Sequence, residues 1–381
     1  MPRFMIERIA RSVLLALLLP GVAMAAPTGG TQVNLQSIVN QVTERHGLPG
    51  LAMAVMKSDG HATLAVAGHE WGGGPALTTV DSFQLGSAMK PMTADVIASL
   101  VQIGKLHWND RLADLLPDMA KAMKPDYRAV TLRQLLSHHA GLAAWTNMPE
   151  KEWRQLADLP GTPTEQRRAF VARVLDQPPV ATPGSKMVYS NAGYVVAGYV
   201  AERVTGTPWK ELLVERVLRP LGLTSCHLGW PNLAPPPAEP LGHRIEGDAM
   251  IEVPVTRQPD IGAFLAPAGD LSCSLEDTAR FALFHLRGAL GQGGALDPQS
   301  FRHLYTPYAG GEAGAALGWG VARTEGGSVV YSVIGGLELY TALIVVEPDA
   351  DRAIVALTNV GETHDVRQAL ISAVRQARAA Y

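Results

Sequence analysis

Cysteine is nearly absent from this chain of 381 residues, which carries only Cys226 and Cys273. So few exclude a disulfide-framed miniature scaffold and any multi-cysteine metal site. Sequence separation alone leaves the two equally compatible with one bridge and with two buried thiols. Basic charge is also short, with 32 Lys and Arg against 35 Asp and Glu and no basic run. That excludes a nucleic-acid partner, which needs clustered cations on one face. No His-x-x-x-His or Cys-x-x-Cys spacing occurs, so a metal or other cofactor is not expected. Beyond the N-terminus no apolar run is long enough to span a bilayer. What is present is a 47% hydrophobic chain with 38 Gly and 27 Pro, enough for a large core with many ordered loops.

Residues 1–25 read as a secretory signal peptide. Arg3, Arg8 and Arg11 precede the apolar run Val13 to Leu19, and Ala23-Met24-Ala25 supplies a small-residue cleavage site. Pro20 and Gly21 interrupt that run, which is too short for an anchor. The expected location is periplasmic or secreted, with cleavage after Ala25. Loss of three Arg and one Glu leaves the remainder at a net charge of −5.

Helical spacing of Leu35, Ile38, Val39 and Val42 predicts an amphipathic helix, ended by His46-Gly47. Two strands follow, Leu51 to Met56 and Ala62 to Ala67, around a Ser58-Asp59-Gly60 turn. At the far end Gly318 to Arg323, Val329 to Ile334, Leu339 to Val346 and Ala353 to Leu357 read as antiparallel strands, and Thr363 to Ala379 as a helix. The middle changes period, with helices predicted over Thr93 to Ile103, Leu132 to Ser137, Arg167 to Leu175, Ala192 to Thr205 and Trp209 to Val217. Asn147 to Pro163 and Gly229 to Arg257, the latter with a proline-rich stretch from Pro231 to Pro240, are expected as loops. The pattern implies an α/β (α+β) fold. Residues 26–80 and 265–381 form a sheet-containing domain, and 81–264 form an inserted, mainly helical one.

Two short motifs carry chemistry. Ser87-Ala88-Met89-Lys90 is the one Ser-x-x-Lys in the chain and stands just before a helix. Residues three apart share a helix face, so the Lys90 amine reaches the Ser87 hydroxyl. The N–H groups of a helix start favour a nucleophile or oxyanion there. Tyr189-Ser190-Asn191 is the one Tyr-x-Asn. Its alternate side chains point the same way, and a Tyr hydroxyl near a Lys can be held as phenolate or shuttle a proton. Read singly, each is also an ordinary capping serine or a loop tyrosine. The adjacent His138 and His139 read as structural, since neighbouring side chains diverge.

Together, in this order and about a hundred residues apart, the motifs resemble the serine β-lactamase and penicillin-binding protein superfamily. The nearer likeness is to class C β-lactamases and family VIII carboxylesterases. Gly104-Lys105-Leu106 through Leu115-Leu116-Pro117, Leu135-Leu136-Ser137-His138-His139-Ala140-Gly141-Leu142 and Arg219-Pro220-Leu221-Gly222-Leu223-Thr224 fit as well, so the likeness runs from about Val33 to Val360. The resemblance implies a β-lactamase/transpeptidase-like fold. It also implies Ser87 as nucleophile, Lys90 and Tyr189 as its base pair, and Asn191 as a contact to substrate and Lys90.

The third motif of that superfamily, Lys-Thr-Gly or its variants, has Val333-Ile334-Gly335-Gly336 as its counterpart. The two glycines survive. Gly335 is expected at the substrate, and the N–H of Gly336 joins that of Ser87 as an oxyanion hole. The missing polar first residue weakens recognition of a substrate carboxylate. The expected activity is therefore that of a serine acyl hydrolase leaning to esters or neutral amides, with a small molecule or short peptide as acyl substrate. A β-lactamase, a D-amino peptidase or DD-peptidase, and a catalytically silent binding protein stay open beside it.

Overall fold

The computed structural model describes residues 34–146, 150–232, 235–247 and 249–381. The segment read as a signal peptide, 1–25, lies outside them. The strands, in chain order, are β1 (Gly50–Met56), β2 (Ala62–Gly68), β3 (Ser82–Gln84), β4 (His227–Leu228), β5 (His243–Glu246), β6 (Ala249–Glu252), β7 (Leu271–Ser274), β8 (Gly314–Ala315), β9 (Gly320–Arg323), β10 (Val329–Gly336), β11 (Thr341–Glu347) and β12 (Arg352–Thr358). The helices used below are α1 (Leu35–His46), α2 (Lys90–Gln102), α3 (Leu132–Leu136), α4 (Pro163–Asp176), α5 (Asn191–Thr205), α6 (Leu275–Ala289), α7 (Pro298–Tyr305) and α8 (His364–Ala380).

Seven strands form one sheet in the order β2-β1-β12-β11-β10-β9-β8, antiparallel throughout. Two of them come from near the beginning of the chain and five from near its end. The inner strands β1 and β11 are buried at every residue, because both faces of the sheet are covered. Period-two alternation sorts their side chains. Leu51, Met53 and Val55 of β1 join Ile354 and Ala356 of β12 and Leu343 and Val345 of β11 in a core with α1 and α8. Ala52, Ala54 and Met56 join the larger core on the opposite face, with α6 laid across β1, β11 and β12.

α1 is stopped as its sequence suggests. Asn34 accepts from the Ser37 N–H at 2.9 Å, and Gly47 takes the left-handed conformation at φ 60°. β10 runs two residues past its expected end to Gly336, β11 begins at Thr341 rather than Leu339, and β9 begins at Gly320. The stretch read as a loop over Asn147 to Pro163 contains the helix Glu150–Ala157. The Gly229 to Arg257 stretch contains the β5–β6 hairpin. α6 has no counterpart in the periodicity reading, although Ser274 caps it through the Asp277 N–H at 3.2 Å. Trp209 to Val217 is α-helical to Leu213 and then widens into a π-helical turn, Val214–Leu218.

A second, three-stranded sheet has the order β3-β7-β4. Cys226, just before β4, and Cys273 in β7 form a disulfide with Cα atoms 4.2 Å apart, which settles the choice between a bridge and free thiols. Among the described residues no helix is long and apolar enough to cross a membrane.

Candidate active site

β3 leads straight into the site. Gln84 is fully buried; its amide donates to the Gly269 carbonyl at 2.8 Å and its Oε1 accepts from the Gly86 N–H at 2.5 Å. That fixes a turn in which Gly86 has φ 51°, open to glycine at little strain. A β-carbon there would also meet the Gly336 nitrogen at 2.8 Å. The chain then forms a 3-10 turn, Gly86–Met89, before α2 begins at Lys90. The expected helix start at Ser87 is thus a tighter one. In 3-10 geometry side chains three apart eclipse, and Lys90 Nζ donates to Ser87 Oγ at 2.8 Å.

Ser190 caps α5, accepting from the Gly193 N–H, and its hydroxyl donates to the Ala143 carbonyl at 2.6 Å. With Ser190 turned to that side, Tyr189 and Asn191 face the other. Tyr189 Oη lies 2.6 Å from Ser87 Oγ, and Asn191 Oδ1 accepts from Lys90 Nζ at 2.9 Å. Lys90 makes its third bond to the Ala268 carbonyl at 2.6 Å. The four side chains expected from the two motifs therefore meet in one hydrogen-bonded group.

Electrostatics divide the group. Lys90 is 2% exposed, and burial pulls its pKa down to about 7, against a smaller upward pull from Glu362. Burial pushes Tyr189 above the ordinary phenol range, against its bond to Ser87. Of the two states the sequence allowed for this tyrosine, the protonated one is favoured. His138 is pressed down to about 3 by burial and by Lys90, so it is neutral. Its Nδ1 accepts from the Ser190 N–H at 3.1 Å, and its ring lies 4.6 Å from that of Tyr189. His139 stacks on Tyr308 at 4.3 Å. Both histidines line the cavity, and among the described residues no cluster of ligands suits a metal ion.

The end of β10 closes the site. The Leu337 N–H donates to the Tyr340 carbonyl, and Gly336 faces Thr341 in β11. Hydrogen-bonded pairs alternate along an antiparallel ladder, so the Gly336 N–H points away from β11, toward the turn that carries Ser87. A β-carbon on Gly335 would fall 2.1 Å from the Ala88 nitrogen and 2.6 Å from the Ser87 nitrogen. The glycine pair is what lets strand and turn approach. Val333 and Ile334 sit in the wall of a cavity of about 1190 Å³ that also contains Ser87, Lys90, Tyr189 and Asn191. Trp145, Trp153 and Trp230, unassigned from sequence, line it too, as does Glu362. Glu362 follows β12 outside any motif. Only its fold neighbour Gly336, more than twenty residues earlier in the chain, reveals its place.

Comparison with known proteins places these features in context. The model of the beta-lactamase family matches residues 35–379. The chain is 31% identical over 250 residues to penicillin-binding protein 4 of Amycolatopsis lactamdurans, covering 64% of this chain and 61% of that protein. It thus spans about three fifths of the length of that curated relative. Among solved structures it is similar to a penicillin-binding protein homologue from Pyrococcus abyssi, with TM-score 0.74 and 21% identity over 91% of this chain and 77% of that one. It is also similar to D-amino acid amidase from Ochrobactrum anthropi, with TM-score 0.71 and 21% identity over 91% and 97%. At these identities the structures speak for the fold alone.

Proposed function

The chain belongs to the beta-lactamase family, and from that premise we propose that it is a serine acyl hydrolase that works through an acyl-enzyme on Ser87. The observation that carries this reading is the buried Lys90 amine held 2.8 Å from Ser87 Oγ, with Tyr189 Oη at 2.6 Å on the same oxygen. A lysine whose pKa is about 7 is largely a neutral amine just above that pH, and so a base poised for its task. It takes the Ser87 proton as Oγ attacks the substrate carbonyl, directly or through the Tyr189 hydroxyl. The carbonyl oxygen takes the negative charge between the N–H groups of Ser87 and Gly336. Tyr189 passes the proton to the leaving alcohol or amine, and water then displaces Ser87 from the ester with the same pair as base. Asn191 holds Lys90 in place and offers its amide to the substrate.

Esters and neutral amides fit the wall best. Val333 presents an apolar side chain on the cavity face of β10, while the Ile334 side chain packs toward the core with α1 and α8, so β10 offers no cation for a substrate carboxylate. The amide half of the reading agrees with the name of the D-amino acid amidase that shares the fold. Two domains are proposed as well, 26–80 with 265–381 and 81–264, the site lying where they meet. A leader removed near Ala25 and a periplasmic or secreted location belong to the same proposal. Release of p-nitrophenol from p-nitrophenyl butyrate, with Ser87→Ala alongside, tests the function. Turnover that vanishes in the variant is the expected result, and equal rates in both proteins reject it. Saturable ligand binding without any mass added to Ser87 is the mark of a silent binding protein.

A further inference from the structure

Glu362 has no part in the proton transfers above, yet its carboxylate stands at the oxyanion end of the site. Oε2 lies only 2.7 Å from where a β-carbon on Gly336 would be, and the Glu362 backbone N–H donates to the Leu337 carbonyl. The carboxylate is therefore fixed beside the residue whose N–H faces Ser87. Oε1 is held by Arg367 Nη2 at 3.1 Å, which orients the group, but Arg367 does not line the cavity and Glu362 does. Among the described residues the wall contains only two cationic side chains, Lys90 and Arg154, against the carboxylates of Asp158, Asp260, Glu338 and Glu362. A substrate carboxylate placed near Gly336 meets an anion there, and Val333 supplies nothing to offset it. A substrate cation meets a pre-oriented acceptor in a partly desolvated site, where charged hydrogen bonds are strongest.

We propose that Glu362 selects substrates that carry a protonated amine next to the carbonyl attacked by Ser87, as amino-acid esters and amides with a free amino group do. This deepens the acyl hydrolase reading and rests on it for turnover, though not for binding. The ammonium donates to Oε2 while the neighbouring carbonyl oxygen faces the N–H groups of Ser87 and Gly336. The tryptophans of the cavity suit an aromatic side chain on the same residue.

The test compares phenylalanine methyl ester with its N-acetyl counterpart, in both enantiomers, at about pH 7, where much of the amine is protonated. The expected ratio of kcat/KM favours the free amine by about tenfold or more, the worth of a charge-assisted bond, and Glu362→Gln brings it toward one. Using a ratio cancels any change at Lys90 that the two substrates share. A wild-type ratio near one, or a preference undiminished in Glu362→Gln, overturns the proposal. Turnover of p-nitrophenyl butyrate with neither amino-acid ester accepted overturns it equally. Calorimetry of phenylalaninamide and N-acetylphenylalaninamide on the Ser87→Ala protein needs no chemistry. Selective binding of the free amine that depends on Glu362 supports the proposal even where hydrolysis fails, and equal affinities reject it.

Discussion

Lys90 Nζ stands 2.8 Å from Ser87 Oγ in a site where burial holds the lysine pKa near 7, about three units below an exposed lysine. In the proposed mechanism the neutral amine is the base, so activity is expected above that pH and lost below it. Hydrolysis of p-nitrophenyl butyrate is expected to show kcat/KM rising through about pH 7 to a plateau. Lys90→Arg keeps the charge but cannot lose its proton, and is expected to lower kcat about a thousandfold. A rate independent of pH between about 5 and 9 excludes Lys90 as the base.

Tyr189 shares the Ser87 oxygen at 2.6 Å and is held above the ordinary phenol range, so the relay proposed for it uses the protonated hydroxyl. Tyr189→Phe keeps the ring that packs near His138 and removes only the hydroxyl bonded to Ser87. A fall in kcat of about a hundredfold is expected, with KM changed by no more than a few-fold. Steady-state kinetics separate the two. The wild-type profile is expected to lack an alkaline limb below about pH 10, because the phenol stays protonated there.

Much of this site was legible from Ser87, Lys90, Tyr189 and Asn191, because helix periodicity and strand alternation act over a few residues and put each pair on one face. The sheet was legible for the same reason: Leu51, Met53 and Val55 against Ala52, Ala54 and Met56 divide between two cores. What escaped depends on contacts distant in sequence. Glu362 comes to the site only because the segment after β12 passes the end of β11 and reaches Gly336 and Leu337 at the end of β10. α6 is the exception: Leu275, Ala279, Ala282 and Leu286 recur at helical spacing and bury one face together with Thr278 and His285, so the helix was legible although unread. His285 is accommodated by Asp95 at 3.0 Å and Tyr305 at 2.8 Å, partners supplied by α2 and α7.

The two glycines of β10 are expected to differ in their tolerance of a methyl group. Gly335→Ala drives a β-carbon into the backbone of Ala88, Leu85 and Ser87, which cannot yield without moving the nucleophile. Gly336→Ala brings its β-carbon to 2.3 Å from Glu362 Cβ, so the segment after β12 has to shift, but the nearest atoms belong to a side chain and not to the turn that carries the nucleophile. Gly335→Ala is therefore expected to abolish measurable turnover and to destabilise the fold by about 1–3 kcal/mol, read by urea unfolding. Gly336→Ala is expected to remain folded with a smaller loss of stability, displacing Glu362 and not the turn of Ser87. Equal stability of the two variants contradicts this account of how β10 approaches the turn.

Cys226 and Cys273 tie β7 to the segment entering β4 across a sequence separation of 47. Closing a loop of that length in the unfolded chain stabilises the fold by up to about 4 kcal/mol in the chain-entropy description. Thermal unfolding with and without a phosphine reductant is expected to show a clear loss of Tm on reduction, matched by the Cys226→Ala/Cys273→Ala double variant. β7 packs directly on β3, the strand that precedes Gly86, so activity is expected to disappear at a lower temperature in the reduced protein. A melting temperature indifferent to the reductant shows that the bridge does not brace the fold.

Val333 faces the cavity from the position where the superfamily motif places a polar or cationic residue. Val333→Lys restores a cation to that wall, its methylenes covering the apolar surface that Val333 covers now. The expected result is a change of preference rather than of general activity: kcat/KM for p-nitrophenyl hemisuccinate, relative to the matched butyrate, rises about tenfold at low salt and falls back as salt screens the charge. A second consequence has a definite sign. An ammonium added to the cavity disfavours protonation of Lys90, so the acid limb of the pH profile moves below its wild-type position. If hemisuccinate gains nothing while the acid limb moves, the added charge reaches Lys90 but not the acyl group, and the apolar character of β10 is not what sets the substrate preference.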